Sequence, residues 1–208
     1  MYLIIILVVM FADIGLAIWG SISSGSLSLL EAILYPILAL LYVLLMIGLL
    51  DIILRIFPKS MYDYKKRYFK TGKKELRFYE KIGIRKWKNK IPELGATGGF
   101  SKRNLQSLST DYIEKFIYET CFGEILHLLA GILGFTCLFF YPAHCIYFIL
   151  PILITNLILN LLPCFIQRYN RHKLIVVYNY LKRKEQKSLT DNVLGNISED
   201  DEIQEENA

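Results

Sequence analysis

Glu124 and His127 stand three residues apart within one of the long apolar runs of this 208-residue chain. On a helix that spacing puts both side chains on one face, a turn apart. Ionisable groups are costly in hydrocarbon, so a pair placed there is a candidate for function. Gly131 and Gly134 continue the same face. Below its polar mouth the face therefore has a floor without side chains, a slot for a ligand or for a close-packed neighbouring helix. A Glu-x-x-His pair also belongs to the ligand set of di-metal helix bundles, which need two copies and further carboxylates. This chain has one copy, and no metal site is expected.

A second set follows on the next apolar run. Asn156, Asn160, Gln167 and Arg171 line one stripe, since seven and eleven residues from Asn160 are close to two and three helical turns. Pro163 interrupts the stripe and bends the helix, which a membrane tolerates where the gap faces protein or water. Plainer roles compete with chemistry at each position: a Glu can end a span, a His can be solvated among headgroups, and an Asn can bond two helices together. Asp13 is the most interior acid of the N-terminal runs and is expected to pair with Asn or Thr on a neighbour, while Glu31 and Asp51 receive no role.

Between Pro58 and Leu94 bases alternate with aromatics, including Arg85, Lys86, Trp87 and Lys88. Such a mixture suits an anionic membrane surface, an acidic or phosphorylated substrate, or single-stranded nucleic acid. Tethering beside membrane helices favours the first and disfavours nucleic acid as a partner.

The elements that must position these residues are four apolar runs, at Met1 to Gly20, Leu27 to Phe57, Glu124 to Tyr141 and Cys145 to Ile166. Three are close to the length a helix needs to cross about 30 Å of hydrocarbon, and the second is longer than one crossing needs, so it is expected to tilt or extend into the interface. The composition agrees, with 54% hydrophobic residues and a mean hydropathy of +0.37. The first run lacks the basic start and small-residue cleavage site of a signal peptide, so a retained helix is expected. Sixteen of the 24 Lys and Arg lie between Pro58 and Gly123, and seven between Arg168 and Lys187. Basic loops stay in the cytosol, which predicts a multi-pass cell-membrane protein with both termini cytosolic.

The expected fold is all-α: four transmembrane helices with a basic cytosolic segment between the second and third. The divisions are 1–57, an N-terminal helix pair; 58–123, the basic segment; 124–187, a C-terminal pair with a basic end; and 188–208, an acidic tail expected to be disordered. Within the basic segment, residues 95–99 are a glycine-rich break. Ser109, Thr110 and Asp111 are cap candidates for a helix running into the third span, with Glu114 placed for a capping box. Pro142 to His144 makes the hairpin between the last two helices. Cys121, Cys137, Cys145 and Cys164 lack metal-ligand or paired spacing and read as small buried hydrophobes. No nucleotide-binding glycine motif or nucleophile elbow is present in the sequence.

The run Arg85 to Lys88, Thr110-Asp111, Ile113-Glu114-Lys115, Glu119-Thr120, the Glu124 and His127 pair, Asn160, and Gln167-Arg168-Tyr169-Asn170-Arg171 together resemble the glycosyl-4,4'-diaponeurosporenoate acyltransferases of staphyloxanthin-type carotenoid biosynthesis. The resemblance covers about Glu75 to Arg183. It implies a membrane enzyme that moves a fatty acyl group onto a hydroxyl of a lipid-linked sugar or related lipid alcohol. Its partners would be a lipid acceptor and an acyl donor, either an acyl thioester or a phospholipid, with no tightly bound cofactor. The long N-terminal helix pair, the glycine-rich insert and the acidic tail depart from that pattern.

Acyl transfer to a hydroxyl needs a base and donors for an oxyanion. His127 is assigned as general base, supported by Glu124, and Asn160, Gln167 and Arg171 as donors to the oxyanion or to the donor's phosphates. Arg168, Asn170 and the run Arg85, Lys86, Trp87 and Lys88 would hold headgroup, sugar or coenzyme, with Trp87 stacked on a sugar. Two alternatives share these residues. One is a helical membrane methyltransferase or reductase acting on a lipid; the other is a non-catalytic subunit docking lipid or a partner through its basic loop. The oligomeric state is not legible.

Overall fold

The computed structural model describes residues 2–25, 28–91, 107–141 and 146–206. The described residues form helices α1 (Tyr2–Ser24), α2 (Leu29–Ile56), α3 (Lys73–Lys81), α4 (Ile84–Trp87), α5 (Thr110–Leu133) and α6 (Ile146–Glu206), with tighter 3-10 turns at Lys59–Tyr62, Arg67–Phe69, Lys88–Lys90 and Gly134–Phe140. Among the described residues, three stretches are long and apolar enough to cross a membrane: Leu29–Ile56, Thr110–Phe140 and Phe148–Thr190. The first of the four expected runs is helical as well, as the 23 residues of α1.

α2 shows how sequence sorts the faces. Its start is fixed by a capping box, in which Glu31 N donates to Ser28 Oγ at 3.3 Å and Ser28 N donates to Glu31 Oε2 at 2.9 Å. Glu31 thus acquires a role the sequence reading did not give it. Ala32, Pro36, Ala39 and Val43 form the buried stripe, whereas Leu30, Leu38, Leu45 and Ile52 point outward. Small residues inward and large aliphatics outward is the arrangement of a helix whose solvent is lipid, because hydrocarbon offers Leu nothing to gain from burial while close backbone approach gains packing. In water such an apolar wall would exceed the patches that soluble monomers expose.

α5 and α6 run antiparallel, with Thr110 beside Glu185, Ile117 in one cluster with Leu174, Gly123 under Gln167, and Gly131 under Leu157 and Asn160. A Cβ on Gly131 would come within 3.1 Å of Leu157, and one on Gly134 within 2.5 Å of Asn156 Nδ2. The floor of the predicted slot is therefore filled by the neighbouring helix. α1 lies antiparallel to α6, with Thr155 Oγ1 donating to Asp13 Oδ2 at 2.9 Å, the kind of partner expected for Asp13. α2 lies antiparallel to α5 and the turn that follows it, joined by a Tyr42–Thr136 hydroxyl pair at 2.6 Å and by Arg55 over the Phe122 ring at 4.4 Å.

Several expectations change. Ser109 alone caps α5, accepting from Tyr112 N at 3.3 Å. Asp111 therefore sits in the first turn, and Glu114 is too far along the helix to complete a box. α6 continues to Glu206, so the tail expected to be disordered is helical. A lack of large apolar residues argues against a packed core, not against a helix, and no proline interrupts residues 188–206. Cys121, Cys137 and Cys164 are buried free thiols, as expected. The glycine-rich break, the Pro142 to His144 hairpin and Cys145 lie outside the described residues.

The segment after α2 folds back onto the end of α2 and the middles of α5 and α6. Tyr62 and Phe69 pack with Leu54, Cys121 and Phe122, and Tyr79, Ile84 and Ile91 pack with Ile166 and Tyr169. Tyr62 also donates to the carbonyl of Leu54 at 2.6 Å. These aromatics are inward anchors, while Lys65, Lys66, Arg67 and Lys70 between them are exposed.

Candidate active site

Glu124 is 2% exposed, and its two oxygens are divided between two arginines one turn apart on α6. Arg168 Nη1 donates to Oε1 at 2.6 Å, and Arg171 Nη2 donates to Oε2. Arg168 continues the chain outward, donating through Nε and Nη2 to the carboxylate of Glu75 at the first turn of α3. Its guanidinium also reaches the carbonyls of Tyr68 at 3.0 Å and Lys70 at 3.3 Å. Tyr79 donates to Glu75 at 2.5 Å. Two carboxylates and two guanidiniums thus alternate in one clasp, which meets the condition for burying charge, namely pairing with every oxygen occupied.

The electrostatics follow the geometry. Burial pushes the Glu75 carboxyl up, but the bonds from Arg168 and Tyr79 and the charge of Arg168 outweigh it and hold the group below the usual 4.5. Burial, reinforced by the charge and hydrogen bond of Glu124, pushes the Tyr68 phenol up to about 12. That hydroxyl keeps its proton and remains a donor.

Arg171 is fully buried beneath the Phe69 ring, 5.1 Å from its centroid, with Nη1 3.1 Å from Cys121 Sγ. A side chain so enclosed cannot reach an oxyanion or a donor's phosphates, so its expected role gives way to holding Glu124. Glu124 in turn does not support His127. The i, i+3 spacing puts the two on one face, but the carboxylate is drawn across to the cations of α6, against which an imidazole one turn away cannot compete.

His127 has a different partner. Its Nδ1 lies 3.0 Å from Asn160 Oδ1. Asn160 Nδ2 donates to Asn156 O at 2.9 Å and to Asn156 Oδ1 at 2.8 Å, and Asn156 Nδ2 donates to the carbonyl of Ala130 at 3.1 Å. Each amide nitrogen is committed to an acceptor, so the oxygen of Asn160 is the atom that faces the ring. His127 Nδ1 thus faces an acceptor, and a neutral ring that donates from Nδ1 leaves Nε2 without a proton. The polar stripe of α6 is a hydrogen-bonded chain that ends at the imidazole. Asn160 cannot also serve as an oxyanion donor, since its amide hydrogens are spent on Asn156.

The other predicted residues divide. Gln167 lies over Gly123, where a Cβ would come within 3.1 Å of its Nε2. Trp87 donates from Nε1 to the carbonyl of Ile82 at 3.1 Å and packs on the Tyr79 cluster while staying part-exposed. Arg85 donates to the Tyr169 hydroxyl at 2.8 Å, Lys88 donates to Asn170 Oδ1 at 2.9 Å, and Lys86 is exposed. Glu75, Tyr68 and Tyr79 were not singled out for the site by sequence reasoning. No local signal marks Glu75, whose partner is 93 residues away. Among the described residues no three His, Cys, Asp or Glu side chains converge as metal ligands.

A family model described as glycosyl-4,4'-diaponeurosporenoate acyltransferase matches residues 58–180. That range holds the whole clasp and the whole Asn156–Asn160–His127 chain, and it begins just after α2. The chain belongs to this family. It is an acyltransferase, which removes the methyltransferase, reductase and non-catalytic alternatives. A protein of that name from Staphylococcus aureus strain Newman is 29% identical over 146 residues, 61% of this chain and 78% of the relative. Those of strains USA300 and NCTC 8325 are 28% identical over the same shares. No solved structure matches.

Proposed function

We propose that the chain is an integral membrane O-acyltransferase that moves a fatty acyl group onto a hydroxyl of a lipid-linked sugar, of which glycosyl-4,4'-diaponeurosporenoate, in the relatives' name, is one instance. α1 joins the three apolar stretches as a fourth crossing, since 23 residues of helix reach about 34 Å. The basic segment and both termini then face the cytosol of the cell membrane. The clasp lies at that face, and His127 sits one turn deeper along α5, where a headgroup hydroxyl meets the hydrocarbon.

The observation that carries the reading is the Asn156–Asn160–His127 chain, in which His127 Nδ1 faces Asn160 Oδ1 at 3.0 Å, an arrangement that suits a neutral ring with Nε2 free to take a proton. In the reaction Nε2 takes the proton of the acceptor hydroxyl as its oxygen attacks the acyl carbonyl carbon. The tetrahedral intermediate then collapses, the bond from carbonyl carbon to the donor's sulfur or oxygen breaks, and His127 returns the proton to that leaving group. Asn160 holds the ring in the required tautomer throughout and balances the imidazolium that forms. The clasp ties α5 to α6 one turn away so that this alignment persists.

The test is transfer of a labelled acyl chain to endogenous glycolipids in membranes carrying His127→Ala or Asn160→Ala. Loss of a base costs on the order of 10²–10⁴ in rate. His127→Ala should fall in that range, and Asn160→Ala should retain a partial rate. Full activity of His127→Ala at wild-type protein levels refutes the assignment.

A further inference from the structure

Acyl transfer puts negative charge on the acyl carbonyl oxygen, and two of the three donors that the sequence offers for it are already spent. Both amide hydrogens of Asn160 go to Asn156, and Arg171 is buried against Glu124 and Cys121. Gln167 is the third. Its side chain crosses to α5 at Gly123, where a Cβ would stand 3.1 Å from Nε2 and 3.5 Å from Cδ. Among the described residues no hydrogen bond holds this amide, and the side chain is half-buried rather than sealed. Arg168, the next residue, differs: its guanidinium is taken by Glu75, Glu124 and two backbone carbonyls. Gly123 and His127 are four apart on α5, so the amide stands one turn from the imidazole on the same face. Four residues span about 6 Å along the axis. A carbonyl centre between the two can therefore lie about 3 Å from each, the separation that nucleophile and oxyanion donors require.

From this we infer that Gln167 is a catalytic residue, whose amide donates to the acyl carbonyl oxygen and to the oxyanion that replaces it. The inference rests on the acyltransferase reading, because it is acyl transfer that creates this charge. As the acceptor oxygen attacks, the carbonyl π pair moves onto oxygen, and the bond from Gln167 Nε2 strengthens with the charge it meets. When the bond from carbonyl carbon to the donor's sulfur or oxygen breaks, the pair returns to carbon. Gln167 gives up no proton at any step; the proton passes from hydroxyl to His127 to leaving group. A neutral donor suits a position beside Arg168, since it leaves the paired charges of the clasp undisturbed. Gly123 completes the arrangement, because a side chain there would press on the amide and fill the space the carbonyl must occupy.

Membranes carrying each full-length variant would be supplied with palmitoyl coenzyme A or with a phospholipid, labelled in the acyl chain, over a range of concentrations, and transfer to endogenous glycolipids followed. Removing one oxyanion donor costs about 10²–10³ in kcat. Gln167→Ala should fall in that range with the KM for the acyl donor unchanged. Gln167→Glu keeps the outline of the side chain and replaces the donating NH2 by an acceptor, so it should fall at least as far while melting as wild type does. Gly123→Ala would crowd Nε2 at 3.1 Å; it should lower kcat in the wild-type chain and lower it no further in Gln167→Ala. A rise in KM with kcat unchanged, full activity of Gln167→Glu, or an equal effect of Gly123→Ala in both backgrounds overturns the donor. Loss in Gln167→Ala where His127→Ala is fully active would support the donor and remove the base. The reverse pattern would overturn the donor and leave the base standing.

Discussion

Replacing Glu124 by Gln keeps the shape of the side chain and removes the one charge that both Arg168 and Arg171 share. Arg168 retains Glu75. Arg171 retains no carboxylate, and at 0% exposure it has no water to turn to; its Nε already lacks a hydrogen-bond partner. Breaking a buried pair in this way costs about 3–5 kcal/mol, a large part of a typical total stability of about 5–15 kcal/mol. The exposed Arg55–Asp51 pair on α2 provides the contrast, with side chains 54% and 38% exposed. Asp51→Asn should cost about 0.3–0.5 kcal/mol. Thermal unfolding in micelles, followed by reactivity of the buried cysteines, would rank the two. A compensating variant, Glu124→Leu with Arg171→Met, removes the stranded cation and should melt well above Glu124→Gln. If Glu124→Gln unfolds at the same temperature as Asp51→Asn, the clasp is not holding α5 to α6 and the division of labour between Glu124 and His127 fails.

Gly134→Ala would place a methyl 2.5 Å from Asn156 Nδ2, so it should displace the amide, loosen Asn160 and lower the acyl-transfer rate with little change in protein level; an unchanged rate would uncouple Asn156 from His127. Glu75 has a folded pKa below the unfolded 4.5, so its contribution is complete above that value and disappears as pH falls through the lower folded value. Acid titration of the melting temperature should therefore lose its low-pH step in Glu75→Gln. Ser28→Ala removes the cap of α2 and should cost about 1 kcal/mol, read as a small fall in melting temperature without loss of activity.

Much of this architecture is legible because hydrocarbon makes strict demands. Runs of apolar residues give α1 and α2 nearly to their ends, but they miss the start of α5 before Glu124 and the part of α6 beyond Ile166, where the helices are polar. The polar candidates Glu124, His127, Asn160 and Arg171 are found by the same rule. Their partners are not, because helical spacing reports which residues share a face and says nothing about which neighbour is turned toward it. Glu124 and His127 satisfy the spacing of a dyad, yet the carboxylate goes to the two arginines of α6 and the imidazole to its asparagine. A sequence reading that first asked how a buried carboxylate is neutralised would have looked to Arg168 and Arg171, themselves three residues apart. Glu75 stays hidden even then, since its contact depends on how residues 58–91 fold back.

The two networks are different in kind, and their order along α5 explains why both are present. Salt bridges tolerate a partly wet boundary, and the clasp keeps one, with the Arg168 side chain 17% exposed and Glu75 26%. One turn further along α5, the Asn156–Asn160–His127 chain is built without a carboxylate. Gly123, Gly131 and Gly134 make this workable: without a Cβ at those positions α6 comes close enough for Gln167, Asn160 and Asn156 to meet α5. The glycines that look like an open floor in the sequence are therefore the means by which the neighbouring helix delivers the polar groups that hold His127.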